Sequence, residues 1–553
     1  MAQPNDTMNK QQTQKRILMA TVLSFAFFIA YDFLYLQPKQ ALVDQANAQN
    51  ATKVEKNIAQ SSSSAPLSNS IDAPISGTKD IANNAPSVIS SNKVISTIIT
   101  AKNTVQIDTL GRISQVKLSE KQYVTDDGKE IKLFNLNQLR PLEVRFANRK
   151  INDEAFKVDV LASSSSLDVR NGTQELVLTQ KLSDTTLTKI LKFYPDGHYD
   201  VKVSSTNNAE FFITPGFRPD VLADMYADHG AILSLNDGTL NIIEDEDMEK
   251  NAEFIGVNAA AAFDRYYTTV LYNYEKSMAI SVMKDTNDSP QIFIHAKDNI
   301  SLHGYMGPKE HKTLTALDVR LDNIIEYGWF TFIAKPMFLL LQFMHNYIGN
   351  WGWTIVFVTI LIKLILFPLS HKGMVSMNRL KELAPKVKAL QEKYKGDKQK
   401  ASMHMMELYK KEGANPMGGC LPVILQIPVF FAIYRVLLNS IELKGSEWIL
   451  WIDDLGVMDP YFILPILMGA TMYFQQKITP NTMADPMQQK IFQLLPVVFT
   501  FFFLWFPAGL TLYWFVNNLF TIGQQYYVNT IFKNARVARH EKHIEEKTHP
   551  KKK

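Results

Sequence analysis

Residues Ile17–Leu36, ILMATVLSFAFFIAYDFLYL, form a twenty-residue apolar run that carries a single acid, Asp32. At about 1.5 Å per helical residue such a run matches a hydrocarbon core of about 30 Å. Five more candidates follow at Trp351–Leu369, Leu421–Leu438, Tyr461–Gln475, Ile491–Phe506 and Gly509–Gln525. Backbone amides inside lipid must pair within their own segment, so a helical membrane core is dictated and a single water-soluble globule is excluded. The average composition, 46% hydrophobic and 20% charged, hides this division because residues 41–320 are polar. Cys420 stands alone, which excludes a disulfide framework and a zinc ribbon.

Lys10, Lys15 and Arg16 precede the first run against Asp6, so residues 1–16 are expected in the cytoplasm and 17–36 as an uncleaved anchor. The competing reading is a signal peptide cleaved near Ala46-Asn47-Ala48; that site lies ten residues past Leu36, and the run is long for a signal core. Residues 37–92, with the run Ser61–Ser64, are too polar to offset chain entropy and read as a disordered tether. Over 93–322 short alternating stretches recur, such as Val105 and Ile107 before Leu110-Gly111-Arg112, or Leu187, Leu191 and Phe193 before Pro195-Asp196-Gly197. They predict an exported β-sandwich, and no metal or triad spacing marks it as catalytic. Residues 326–349 read as an amphipathic helix in the membrane interface. Thr331, Lys335, Gln342, His345 and Asn346 form its polar stripe, and Pro336 is a candidate kink.

Charge orients the core. Ser370–Gly419 holds eleven basic residues against five acids, the tail 531–553 eight against three, and Asn439–Pro460 only Lys444 against five acids. The positive-inside rule puts the first two in the cytoplasm, with the short loop 476–490, and the third outside. Leu380, Leu383, Val387, Leu390 and Tyr394 recur at 3,4,3,4 spacing and the pattern breaks at Gly396-Asp397, which predicts an antiparallel helical hairpin over 370–419. Its outer charges read equally as a plain solvated face. Its methionines (Met374, Met377, Met403, Met405, Met406) read equally as an adaptable contact surface.

Lys363 lies in VFVTILIKLIL with no acid in its own span, and Thr359 is one turn away on the same face. An ammonium in lipid costs at least about 2.5–3.5 kcal/mol, so a role facing water or a partner is the default; snorkelling over the six residues to Leu369 is the alternative. Gln426, Thr471 and Gln475, Gln493 and Thr500, and Tyr513, Asn517, Thr521 and Gln524 form polar stripes on the other spans. Singly each reads as an interhelical hydrogen bond; with Lys363 they predict a half-hydrated groove. No phosphate loop, HExxH pair or intramembrane protease arrangement occurs, so neither an enzyme nor a cofactor is expected.

The sequence resembles the YidC membrane protein insertase family, bacterial relatives of the Oxa-type insertases, in its Gram-negative six-span form. The matching pieces are Asn350–Trp353, Asn415–Pro422, Gln426–Phe430, Asp459–Tyr461, Ile463–Gly469, Asp485–Lys490 and Phe502–Trp514, with Gly304–Lys309 near the end of the exported domain. The resemblance implies an α-helical polytopic core, a five-helix bundle plus the N-terminal anchor, with an exported all-β domain of β-supersandwich type and a cytoplasmic helical hairpin. It implies a bacterial inner-membrane insertase and chaperone with both termini in the cytoplasm and the large domain in the periplasm. The implied partners are nascent membrane proteins, the Sec translocon, the ribosome (through the basic tail and the hairpin) and membrane lipids. The family typically has arginine where Lys363 stands, so the charge is kept but the bidentate fork is not.

The expected mechanism is charge capture by Lys363, with Thr359, Gln426, Asn517 and Thr521 bonding stranded backbone groups and Phe430, Phe431, Phe502 and Phe503 guiding the apolar stretch sideways. The basic tail reads either as a contact to ribosomal RNA or as a topology signal alone. A secondary transporter or channel using the same groove is the alternative, but no inverted repeat or midplane ion site accompanies it. An assembly scaffold built around the exported domain is a third reading.

Overall fold

The computed structural model describes residues 93–548, apart from 121, 125–127, 136–137, 220, 222–227, 246, 249, 286–287, 326, 395, 414–420 and 480–485. The expected anchor, tether and cleavage site, Cys420, part of loop 476–490 and the last tail residues lie outside the described residues.

Residues 94–308 hold seventeen strands among the described residues, in two sheets. A four-stranded sheet runs in the order Ile113–Leu118, Asn103–Asp108, Val94–Ile99 and Ser166–Asp168, the last pair parallel. Val105 and Ile107 are fully buried, as period-2 alternation with one face inward requires. Asp108 accepts the Leu110 and Arg112 amides at 3.0 Å, and its other oxygen takes Arg112 Nε at 2.8 Å and Arg140 Nη1 at 2.7 Å, which fixes the Leu110–Arg112 turn. The second sheet has thirteen strands. Its longest, Ala252–Phe263, pairs through its first half with Met278–Lys284 and through its second with Tyr267–Tyr272 and Gly230–Leu235. The changeover falls at Gly256, where a bulge needs φ +78°. The two sheets share one apolar core that includes Ile98, Val116, Leu176, Leu191, Val201 and Leu271. A short helix, α1 (Arg149–Ala155), is capped by Asn148.

Helix α2 (His311–Leu317) and a 3-10 segment, Val319–Ile324, lead to α3 (Thr331–Ile348). Beside its narrow polar stripe α3 has two apolar faces. Ala334, Met337, Phe338 and Leu341 pack inward, while Phe332, Leu339, Phe343 and Tyr347 are exposed in a second stripe. Lys335, on the polar edge, pairs with Asp322 at 2.7 Å.

The remaining helices are α4 (Trp351–Ile365), α5 (Phe367–Lys393), α6 (Lys398–Lys411), α7 (Leu421–Asn439), α8 (Ile463–Ile478), α9 (Pro486–Phe503) and α10 (Ala508–Thr548). The run 351–369 is not one helix. It ends at Ile365 and resumes at Phe367 with a 64° bend, because Pro368 has no N–H to continue the ladder. Nor do the last apolar run and the basic tail separate: α10 carries both on 41 residues, about 60 Å of helix. By length and composition no single described helix suffices to cross a membrane; α4 and α5 reach that length and apolarity only taken together across their bend, and Gln426–Asn439 and Phe492–Phe503 are shorter apolar helices. Within α5 and α6, Leu380 and Leu383 are buried with Val387 and Tyr409 packed on them, while Met403 and Met406 are exposed. An apolar cluster joins the helices to the sheets: Leu437, Leu443 and Ile452 belong to the same packed set as Ala261, Phe263 and Tyr305.

Candidate functional site

Three helices meet at Lys363. Its ammonium on α4 donates to Thr521 Oγ1 on α10 at 3.0 Å and to Gln426 Oε1 on α7 at 3.4 Å. The Gln426 amide nitrogen then donates to Asn517 Oδ1 on α10 at 3.0 Å. Thr359 is buried one turn above, its hydroxyl returned to the Ile355 carbonyl at 2.6 Å, and Thr521 similarly bonds the Asn517 carbonyl at 2.7 Å. Tyr513 and Asn517 close the wall, and Leu366, Leu369 and Ser370 from the bend close the bottom. Lys363 is 7% exposed, and no carboxylate faces it among the described residues. The sequence reading expects a half-hydrated groove here; the cleft holds about 10 Å³, room for one water, because the side chains lining it bond one another.

The other expected groove residues lie elsewhere. Thr471 on α8 bonds the Met468 carbonyl at 2.7 Å and accepts from Asn518 Nδ2 at 3.4 Å, so it ties α8 to α10 away from the Lys363 cleft. Thr500 on α9 bonds the Pro496 carbonyl at 2.7 Å and sits against Gly469. Gln475 is half-buried on α8, and Gln524 is buried with its amide nitrogen unpartnered among the described residues. None of these four lines the Lys363 cleft.

The four phenylalanines, by contrast, converge. Phe430 and Phe431 on α7 and Phe502 and Phe503 on α9 line one apolar cavity of about 430 Å³, with Tyr434 and Phe506. Phe431 and Phe502 are exposed at its mouth, and Phe503 is buried at its back. Gln426 and Phe430 are one turn apart on α7, so residues of the polar cleft and of the apolar cavity are about 6 Å apart along that helix.

Sequence reasoning missed a second polar network below the cleft. Asn378 Nδ2 on α5 donates to Asn529 Oδ1 at 2.9 Å, Gln525 Nε2 donates to the same oxygen at 2.8 Å, and Asn529 Nδ2 reaches the Ile478 carbonyl at 3.2 Å. The signal was legible as a second polar stripe, Asn518, Gln525 and Asn529, at 7,4 spacing on α10. Asn378 had none, because it lies in a charged arm.

Known families match both halves. Residues 343–535 match the family described as 60Kd inner membrane protein, and residues 96–340 the YidC periplasmic domain. The membrane protein insertase YidC of Campylobacter jejuni is 51% identical over 526 residues, covering 94% of this chain and 96% of that one. The chain belongs to the YidC family of membrane protein insertases. The YidC insertases of Wolinella succinogenes and Helicobacter pylori (strain 26695) are 46% and 43% identical, each covering 95% of this chain and 96% and 98% of their own length. The family is one of bacterial inner-membrane proteins, and the sheet-rich region described above is its YidC periplasmic domain.

Proposed function

We propose that this YidC-family chain inserts and helps fold nascent inner-membrane proteins, alone or with the Sec translocon, and that Lys363 is the capture point. The observation that carries this reading is a buried ammonium that no carboxylate faces among the described residues, bonded to Gln426, which is one helical turn from Phe430 in an apolar cavity of about 430 Å³. An incoming segment with an acidic or polar outer end supplies the missing counter-charge. Gln426 and Asn517 then exchange their mutual hydrogen bond, and Thr359 and Thr521 their bonds to the Ile355 and Asn517 carbonyls, for the stranded amides of the peptide. The apolar stretch follows along Phe430, Phe431, Phe502 and Phe503 into lipid, driven by burial at roughly 25 cal/mol per Å². No nucleotide is required.

In this reading both termini and the α5–α6 hairpin are cytoplasmic, six spans cross the membrane, and residues 439–460 are periplasmic. The hairpin and the basic end of α10 face the ribosome, where RNA phosphates complement their charge.

The test is insertion of substrates with acidic and with neutral outer segments by full-length variants at equal protein level. Lys363→Glu and Lys363→Ala lower insertion of the acidic class about tenfold or more, equivalent to about 1.4 kcal/mol of lost capture, and Lys363→Arg retains it. Normal insertion of both classes by Lys363→Glu rejects the charge-capture step.

A further inference from the structure

The loop between α7 and α8 presents an apolar tip that no packing accounts for. Leu450 is 81% exposed and stands at φ +57°, a left-handed conformation that a leucine rarely adopts, and Ile449 beside it is also exposed. The tip is held firmly. Trp448 N donates to the Ile452 carbonyl at 2.9 Å and Ile452 N to the Ile449 carbonyl at 3.2 Å, closing a tight turn. The Asn350 side chain donates to the Glu447 carbonyl at 2.9 Å, and the Trp448 ring lies on Gly352, where a Cβ would approach to 2.1 Å. Trp451 Nε1 donates to Asp459 at 3.1 Å.

We propose that Ile449 and Leu450, flanked by Trp448 and Trp451, form a wedge seated in the outer leaflet at the boundary between headgroups and acyl chains. Three observations select lipid as the occupant. The tip is continuous with the exposed Trp353 and Phe357 on α4, the Trp353 and Trp448 rings meeting edge to face at 5.8 Å. Tryptophans flanking an apolar tip match the interfacial belt of membrane proteins. A rigid turn that keeps a leucine strained and uncovered in water has only a cost, whereas the same turn in lipid buries the side chain. The consequence is a depth gauge: Trp353 stands level with the wedge, and Lys363 is ten residues, about 15 Å of helix, below it, half-way through a core of about 30 Å.

The inference rests on the orientation proposed above, with 439–460 outside, and the test separates the two. The full chain carrying Cys420→Ser and Leu450→Cys is labelled with a small fluorophore in phosphatidylethanolamine–phosphatidylglycerol vesicles containing shallow or deep spin-labelled lipids. Leu161→Cys, an exposed position on the sheet domain, is the control. The expected result is quenching at 450 at least about threefold above the control, stronger from shallow than from deep labels. Quenching no greater than at 161 overturns the proposal. So does shielding that rises with protein concentration and ignores the lipid label, which assigns the tip to a second copy. An impermeant thiol reagent added outside right-side-out vesicles modifies Leu161→Cys if the orientation holds; failure there rejects the orientation and the wedge together.

Discussion

Lys363 and Asp264 are both buried charges, and their surroundings give them opposite uses. Lys363 has neutral partners that can be exchanged for a ligand. Asp264, in the turn Asp264–Tyr266, is fully committed: its Oδ1 accepts the Tyr266 amide at 2.8 Å and the Tyr267 amide at 2.6 Å. Burial outweighs these bonds and the nearby Lys309 charge, and pushes the carboxyl up to about 6 from 3.8. An acid raised on folding stabilises below its unfolded value, and that contribution is lost as pH rises through the folded one. The intact chain therefore loses on the order of 2–3 kcal/mol between about pH 4 and pH 7 from this group. Asp264→Asn, which keeps the acceptor oxygen, lacks that component, so melting in detergent at pH 5 and pH 8 shows the smaller pH dependence in the variant.

Among the elements, α8 and α9 touch through a glycine. A Cβ at Gly469 would approach Thr500 Oγ1 to 1.9 Å, so the helices approach this closely only because position 469 lacks one. Gly469→Ala is expected to destabilise the protein by about 1–3 kcal/mol, and Gly469→Ala with Thr500→Ala to recover most of it, a coupling that thermal melts of the double-mutant cycle measure. The hairpin arm offers a second case. With about 10 Å³ beside Lys363, a peptide is admitted only if a wall moves, and the wall that joins a break is α5, bent 64° from α4 at Leu366 and tied to α10 by Asn378–Asn529. Asn378→Cys with Asn529→Cys, in a Cys420→Ser background, is expected to reduce insertion at least about fivefold when oxidised and to recover on reduction. Unchanged insertion by the oxidised protein means that the arm does not gate the cleft.

On the scale of the whole molecule, the sheet domain and the helices are not independent bodies. Arg435 near the C-terminal end of α7 pairs with Asp228, Arg265 Nε donates to the Leu438 carbonyl at 2.8 Å, and Leu443 and Ile452 pack with Ala261 and Phe263. Excising residues 45–310 uncovers that apolar seam. The shortened chain is expected to retain insertion, since the cleft and the cavity are built from α4, α5, α7, α9 and α10, all outside the excised range, and to melt several degrees lower in the same detergent. Loss of all insertion at normal protein level favours the scaffold reading instead.

Much of this was legible in the residues. Apolar length marks the chain as a membrane protein, because desolvating backbone is a local cost set segment by segment, and loop charge carries the orientation proposed above. Period-2 alternation located strands such as Asn103–Asp108, since each inward position is decided by its own side chain. The Lys363 cluster was recoverable for the same reason: a lone ammonium must find polar partners. Which partners it finds was not, because the choice among Gln426, Thr471, Thr500 and Thr521 depends on how far each helix is rotated and how closely its neighbours approach. Gly469 brings α9 onto α8 and turns Thr500 inward, while Asn517 and Asn518, adjacent in the chain and about 100° apart around α10, reach different neighbouring helices. The break at Leu366, the unbroken α10, the narrow cleft and the strained, uncovered Leu450 are likewise properties of packing between distant segments, and only the tertiary structure decides them.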